Sequence, residues 1–392
     1  MTRTLRIAIV AGEASGDILG SGLIRELKNQ YAGAVDCYGI GGKRMIEEGF
    51  QTHADMQKLS IMGFDGLFEN LRDILDIRKQ LQQHIIADPP DVFIGIDVPD
   101  FNLTLEKNIR QHNIPTIHYV SPTVWAWREY RIHKIRKAVD LMLTLFPFEK
   151  QFYQKWQVPV EFVGHPLAKR LKPDFKLTDI GESLQQFKND HSEKKVIAVL
   201  PGSRNSEIKT LATLFFDVII DILQTHDDVI FAVPIASEKV GDKLESFLQD
   251  HPHEAKLRQV VHFFDGQHSA DVLRVSDVAL LASGTAALES ALLAKPTVVA
   301  YKVSWLTYWF ARLSAKVKYA SMPNHLLDSP VVPEFLQNDA TVENLSTALK
   351  AFLEGEELYQ NTSNELSKIH AKLDEDADKN AALAVLDFIK AK

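Results

Sequence analysis

The sequence predicts an α/β protein made of two doubly wound parallel sheets. Three observations carry that reading: short apolar runs without polar alternation, amphipathic runs between them, and a polar interval near the middle where the pattern lapses and then restarts. Residues 5–11, 91–96, 116–120 and 141–146 read as buried strands, because a strand covered on both faces is apolar throughout. Helical periodicity over 18–31 and 102–111 supplies the crossovers. The pattern weakens over 166–193, a polar stretch containing Pro173, and resumes with strands at 195–200, 229–234, 260–264, 278–282 and 297–301. From Thr341 onward it is helical, and 356–389 is expected to cross back onto the first domain. The expected domains are 1–170, with 365–392 packing on it, and 171–364. A ligand is expected in the cleft between them, at the strand C-terminal ends.

Composition narrows the function classes. The chain has 392 residues, 45% hydrophobic and 24% charged, which suits two globular domains. A net charge of −8 argues against general nucleic-acid binding. The single cysteine, Cys37, excludes an intramolecular disulfide and fits a reducing cytoplasm. No apolar run approaches the roughly 20 residues of a membrane span, and the apolar start at 7–11 is too short for a signal sequence. A cytoplasmic protein is expected.

The chemistry should lie in the loops that follow the strands. After the strand 278–282 stands Ser283-Gly284-Thr285-Ala286-Ala287-Leu288-Glu289. A small-residue turn opening a helix leaves free N–H groups and the positive end of the helix dipole for phosphate, and Glu289 then falls within reach of ribose hydroxyls. The same residues also cap ordinary helices. After the strand 195–200 come Pro201-Gly202-Ser203-Arg204 and Glu207; Gly202 allows close backbone approach, and the Arg204 guanidinium forks onto phosphate, so the two loops are expected to flank one diphosphate. The N-terminal Gly-x-Gly-x-x-Gly fingerprint of dinucleotide binding is absent.

In the first half, Gly12-Glu13-Ala14-Ser15-Gly16-Asp17 carries two carboxylates suited to sugar hydroxyls, with Asp17 alternatively a cap of its own helix. Asp97, ending an apolar strand in Gly95-Ile96-Asp97-Val98-Pro99-Asp100-Phe101-Asn102, is a candidate general base or a turn-stabilising group, and Asp100 reads as a helix N-cap. Trp125 and Trp127, followed by Arg128, Arg131, His133, Lys134, Arg136 and Lys137, suit a phosphorylated amphiphile at a membrane, or are core tryptophans beside a solvated basic helix. Trp305, Tyr308, Trp309, Arg312 and Leu313 share one helical face, with Lys295, Lys302, Lys316 and Lys318 nearby; that face suits an anionic membrane or a packing surface. Leu59, Ile61, Met62, Phe64, Leu67, Phe68, Leu71, Ile74 and Leu75 form either an acyl groove or core. Histidines show no metal-ligand spacing, so no metal or cofactor is expected.

Taken in order, these motifs resemble the lipid-A-disaccharide synthases, inverting glycosyltransferases of Gram-negative lipid A biosynthesis. The resemblance runs nearly end to end, and also takes in His118-Tyr119-Val120-Ser121-Pro122-Thr123-Val124-Trp125-Ala126-Trp127-Arg128, Pro147-Phe148-Glu149 and Val163-Gly164-His165-Pro166. It implies a GT-B fold, in which two Rossmann-like domains face a central cleft. It further implies transfer of 2,3-diacylglucosamine from UDP-2,3-diacylglucosamine to the 6-hydroxyl of 2,3-diacylglucosamine 1-phosphate, giving the β-1,6 disaccharide 1-phosphate and UDP at the inner-membrane surface. It places Asp97 as general base, Arg204 on phosphate, Glu289 on ribose, and Glu13 and Asn324 as further polar site residues. One departure stands out: the family's Leu-Leu-Ala-Gly-Arg after Pro-Asn is here His325-Leu326-Leu327-Asp328-Ser329, with Ser329 in place of the arginine. Losing a cation's hydrogen bond to a charged group costs about 1.5–3 kcal/mol where nothing replaces it. A homodimer, with the C-terminal helix reaching across a partner, is a further expectation. The competing readings are a UDP-sugar 2-epimerase and a noncatalytic UDP-sugar sensor.

Overall fold

The structure is a computed structural model that describes residues 3–60, 71–303 and 317–392. Contacts divide the chain into two units, Met1–Lys169 with Leu373–Lys392, and Arg170–Lys372.

The first unit holds a parallel sheet of β1 (Leu5–Ala11), β2 (Val35–Ile40), β3 (Gln51–Thr52), β4 (Val92–Ile96), β5 (Thr116–Tyr119), β6 (Leu141–Thr144) and β7 (Val160–Phe162), in the order β3-β2-β1-β4-β5-β6-β7. β1 shows why the run 7–11 is apolar throughout. Its Ile7 and Ile9 pack with Leu23, Ile24 and Leu27 of the helix Ala14–Gln30, whereas Ala8 and Val10 pack on the other face with Phe101, Leu105 and Ile109 of the helix Pro99–Arg110. Both faces are covered, so from Ile7 to Ala11 neither set of alternating side chains reaches water; Arg6, at the strand's start, is partly exposed and pairs with Asp88.

The second unit repeats the plan with β8 (Lys195–Leu200), β9 (Val229–Ile235), β10 (Val261–Asp265), β11 (Val278–Ala282), β12 (Thr297–Tyr301) and β13 (Glu334–Leu336), all parallel, in the order β10-β9-β8-β11-β12-β13. The helices Asn205–Ile222 and Val342–Glu354 share one core with alternate residues of β8, β9 and β11. The polar interval contains two short helices, Pro166–Arg170 and Glu182–Asp190.

Four strands carried no sequence signal: β2, β3, β7 and β13. All but β2 are two or three residues long, and β2 is interrupted by Asp36 and Gly39. The helix Glu356–Leu373 leads to Ala377–Lys390, which returns to the first unit. There Ala381, Ala382, Val385 and Leu386 join the core formed with Leu19, Leu23 and Leu27. In each sheet the strand order reverses beside a central strand, between β1 and β4 and between β8 and β11, and the loops that follow those strands are the natural ligand sites of such folds.

Candidate active site

In the second unit, the loops after β8 and β11 meet. Strands β8 and β11 end in register, Leu200 opposite Leu281, so their following turns open side by side into a cavity of about 350 Å³. Gly202, Ser203, Arg204 and Glu207 line one wall, and Ser283, Gly284, Thr285 and Glu289 another; Pro234, Ala236, Gly266 and Ser269, from the ends of β9 and β10, complete it.

Each residue type has a local reason. Gly202 has φ +120°, and a Cβ there would stand 2.4 Å from Glu207 Oε2. That carboxylate is occupied within the loop, accepting the Ser203 and Arg204 N–H groups at 2.9 and 3.2 Å, which starts the helix Asn205–Ile222. Arg204 itself is left reaching outward, its side chain 81% exposed and 3.8 Å from Glu207. Gly284 has φ +146° and ψ −153°, a conformation open essentially only to glycine, and nothing lies within 4 Å of where its Cβ would be. It opens the helix Thr285–Leu292, whose first residues, Thr285 and Ala286, line the cavity and whose first-turn N–H groups lack intrahelical partners. Glu289 sits in the second turn of that helix, half-buried, and burial holds its carboxyl above the ordinary carboxylate range against the opposing pull of Arg170. The cavity therefore combines backbone N–H groups, one outward guanidinium and one desolvated carboxylate.

In the first unit, the same switch position carries Glu13 after β1 and Asp97 after β4, two strands paired Ala11 to Ile96. The loops touch: a Cβ on Gly12 would stand 2.4 Å from Val98 Cγ2. Asp97 is half-buried and has φ +54°. Glu13 is exposed at the N-cap position of Ala14–Gln30.

Asp17 is neither a cleft carboxylate nor a cap of its own helix. Its oxygens accept the N–H groups of Gly42, Arg44 and Met45 at 2.9–3.1 Å, capping the neighbouring helix Lys43–Glu47. Asp100 also departs from expectation. The helix begins at Pro99, so Asp100 lies inside its first turn and pairs with Arg131 at 2.7 Å. The two tryptophans divide between their alternatives: Trp125 is half-buried and donates to Glu149 at 3.0 Å, and Trp127 is 42% exposed with Arg128 4.0 Å over its ring. Glu149 is almost wholly buried at the start of the helix Pro147–Lys155, also accepts Phe146 N–H at 3.1 Å, and is pushed by desolvation up to about 7. The aromatic face 305–313 and most of the stripe beginning at Leu59 lie outside the described residues; within them, Leu59 and Ile74 are core and Leu75 is 43% exposed. Among the described residues no three His, Cys, Asp or Glu gather as a metal would require.

The sequence model of a family described as Lipid-A-disaccharide synthetase matches residues 7–388. The chain belongs to the lipid-A-disaccharide synthetase family. The lipid-A-disaccharide synthase of Psychromonas ingrahamii is 45% identical over 392 residues, covering 100% of both chains. Two solved structures share the fold: the UDP-GlcNAc 2-epimerase from Neisseria meningitidis bound to UDP-GlcNAc, with TM-score 0.62, 14% identity and 100% of each chain covered, and the glycotransferase of kitacinnamycin, with TM-score 0.64, 16% identity, and 98% of this chain and 99% of that one. The fold is thus of GT-B type, two doubly wound α/β units.

Asn324, a site residue expected of a lipid-A-disaccharide synthetase, does not line the cavity. Only 1% exposed, it donates from Nδ2 to Val332 O at 2.7 Å and Glu334 Oε1 at 2.6 Å and accepts Val332 N–H at 2.8 Å. Glu334 also accepts Ala320 N–H and Ser321 N–H, so Asn324 and Glu334 together fasten the helix Met322–Leu327 to β13. Ser329, at the family's arginine position, directly follows the left-handed Asp328 and donates its N–H to Asn324 O at 3.2 Å.

Proposed function

We propose that this chain joins two acylated sugars: it transfers 2,3-diacylglucosamine from UDP-2,3-diacylglucosamine to the 6-hydroxyl of 2,3-diacylglucosamine 1-phosphate, giving the β-1,6-linked disaccharide 1-phosphate and UDP. The observation that carries this reading is membership of the family across nearly the whole chain, joined to a cavity in the second unit whose donors suit a nucleoside diphosphate. The N–H groups at Gly284 and Thr285 and the Arg204 guanidinium take the diphosphate, and Glu289 takes ribose hydroxyls. In the first unit Asp97 accepts the proton of the acceptor 6-hydroxyl; that oxygen forms a bond to the anomeric carbon as the carbon–oxygen bond to diphosphate breaks. Negative charge develops on the leaving UDP, where fixed dipoles and Arg204 stabilise it. Glu13, on the loop that touches the Asp97 turn, is assigned to acceptor hydroxyls, and Asn324 to holding its segment. The second unit needs no metal in this scheme.

Acyl chains need not leave the bilayer to react, each buried CH₂ being worth about 0.8 kcal/mol there. No helix among the described residues is long and apolar enough to cross a membrane, so the association proposed is peripheral, at the cytoplasmic face of the inner membrane. Exposed Trp127 and Tyr130 beside exposed Arg128, Arg136 and Lys137 support it.

Mass spectrometry of the products tests the reading, with both substrates in detergent and EDTA present. The tetraacyl disaccharide 1-phosphate and UDP are expected. Isomerised UDP-sugar without acceptor, or UDP binding without turnover, would establish the epimerase or the sensor instead. Asp97→Asn should lower the transfer rate by about 10²- to 10⁴-fold, as loss of a general base does.

A further inference from the structure

The turn that presents Asp97 is strained, and the structure shows what holds it. Asp97 and Val98 both have left-handed backbone, φ +54° and +43°, between the end of β4 and Pro99, the first residue of the helix. Two successive non-glycine residues in that region, one of them β-branched, persist only where surrounding contacts over-determine them. A sharp strand-to-helix turn of this kind lifts its side chain clear of the sheet, as the nucleophile elbow does in hydrolases.

Asn102 sits beneath the turn, wholly buried. Its Nδ2 points at three carbonyls, donating to Asp97 O at 2.8 Å and lying 3.3 Å from both Ile96 O and Val10 O. It thereby ties the C-terminal ends of β1 and β4 to the strained residue itself. One helical turn on, Glu106 is also wholly buried and meets the buried His118 of β5, Nδ1 to Oε1, at 2.7 Å. Gly95 makes room for both groups: a Cβ there would stand 2.2 Å from Glu106 Oε1 and 2.9 Å from Asn102 Cβ. Asn102 is thus wedged against Gly95 by a helix that the Glu106–His118 bond anchors to β5.

This arrangement is costly. Desolvation pushes the Glu106 carboxyl upward against the pull of His118, and Asn102 Oδ1, Glu106 Oε2 and His118 Nε2 have no hydrogen-bond partner among the described residues. An apolar core would fill the same space without that cost. What it would lack is a donor directed at the Asp97 carbonyl.

We infer that Asn102, braced by Glu106 and His118, is the positioning residue that fixes the orientation of the Asp97 carboxylate. The inference rests on Asp97 acting as the base proposed above. Asn102 touches no substrate; it acts through the backbone of the residue that does. A displacement of about 1 Å at such a group costs on the order of 10²-fold in rate.

A double-mutant cycle on the full chain tests it: wild type, Asp97→Asn, Asn102→Ala and the pair, each assayed for kcat and for KM of both substrates after a thermal melt confirms folding. Asn102→Ala should lose about 10²-fold in kcat with both KM values nearly unchanged, and should cost little more once Asp97 is already Asn. An equal loss in both backgrounds, a loss borne by KM, or an unchanged kcat would overturn the inference. Asp97→Asn alone judges the base: if it transfers at the wild-type rate, that reading fails and the positioning role falls with it. Should Asn102→Ala fail to fold, Glu106→Gln takes its place in the cycle; it keeps the side-chain shape while changing the bond to His118. A smaller loss confined to kcat and absent from the Asp97→Asn background supports the inference, and full kcat sinks it.

Discussion

A carboxyl held near pH 7 by burial makes stability fall as pH rises, because the folded state then holds a proton that the unfolded state releases. Glu149 is such a group: it is raised from 4.5 to about 7, so its contribution declines across that window as pH increases. The difference amounts to roughly 3 kcal/mol by linkage. His165 acts in the opposite sense, since burial lowers it to about 4 and its contribution grows with pH between there and its ordinary value. The effect of Glu149 must therefore be read by difference. Melting curves of wild type and Glu149→Gln from pH 5 to 7.5 should diverge, the wild type losing more stability with rising pH; parallel curves would show that Glu149 does not titrate there. Glu289 supports a separate prediction. If its carboxylate holds ribose, Glu289→Gln should raise the donor KM by about 10- to 100-fold and leave the acceptor KM unchanged, a loss typical of a hydrogen bond to a charged group. Asp97 and Glu289 were legible in the sequence because each interrupts or closely follows an apolar strand. Asp17, Asn102, Glu149 and Asn324 were not legible in their roles, because each is defined by a partner across a turn, a helix or a neighbouring element, as far as 92 residues away for Asn102 and Val10.

The two donor-side loops differ in how they serve the cavity. Gly284 contributes backbone geometry and Arg204 contributes charge, so substitutions should separate them. Gly284→Ala meets no side-chain clash but forces φ +146° on a residue with a Cβ, at a cost of about 1–3 kcal/mol of strain. The helix start should re-form with its N–H groups turned, lowering both melting temperature and UDP affinity. Arg204→Ala removes an exposed side chain with one distant acidic neighbour, so stability should hold while UDP affinity, measured by calorimetry, falls roughly 10-fold or more. Equal affinity in Arg204→Ala and wild type would exclude the guanidinium from the diphosphate. Among elements, β1, β8, β11 and β12 were legible to the residue, since each has a run of at least four buried residues covered on both faces, with any polar residue confined to its first two positions or its last. β3, β7 and β13, at the sheet edges, are short and partly exposed, and nothing in two or three residues of mixed polarity distinguishes them from loop.

At the scale of the whole molecule, the chain closes its first unit with its last helix. Ala381, Ala382 and Val385 are fully buried and Leu386 is 5% exposed, all within the core that also holds Ile7, Ile9 and Leu23. Ala377–Lys390 lies along Ala14–Gln30, where Gly22 leaves space for Asp378 and Arg25 pairs with that carboxylate at 3.3 Å. The sequence foretold a return of the C-terminal segment from its helical pattern alone, but not which helix it would meet, since that depends on the space Gly22 leaves for Asp378. Burial of Val385 and Leu386 contributes about 3–6 kcal/mol, a large share of the 5–15 kcal/mol by which a domain is ordinarily stable. Ending the chain after Leu373 should therefore unfold the first unit and abolish transfer. The second unit carries its own core and its own cavity, both built between Arg170 and Lys372. It should keep its melting transition and bind UDP with wild-type affinity in the shortened chain. Calorimetry on that chain decides the matter: one transition lost and one retained with UDP binding intact places the donor site wholly in the second unit, whereas loss of UDP affinity would mean that the first unit helps to form it.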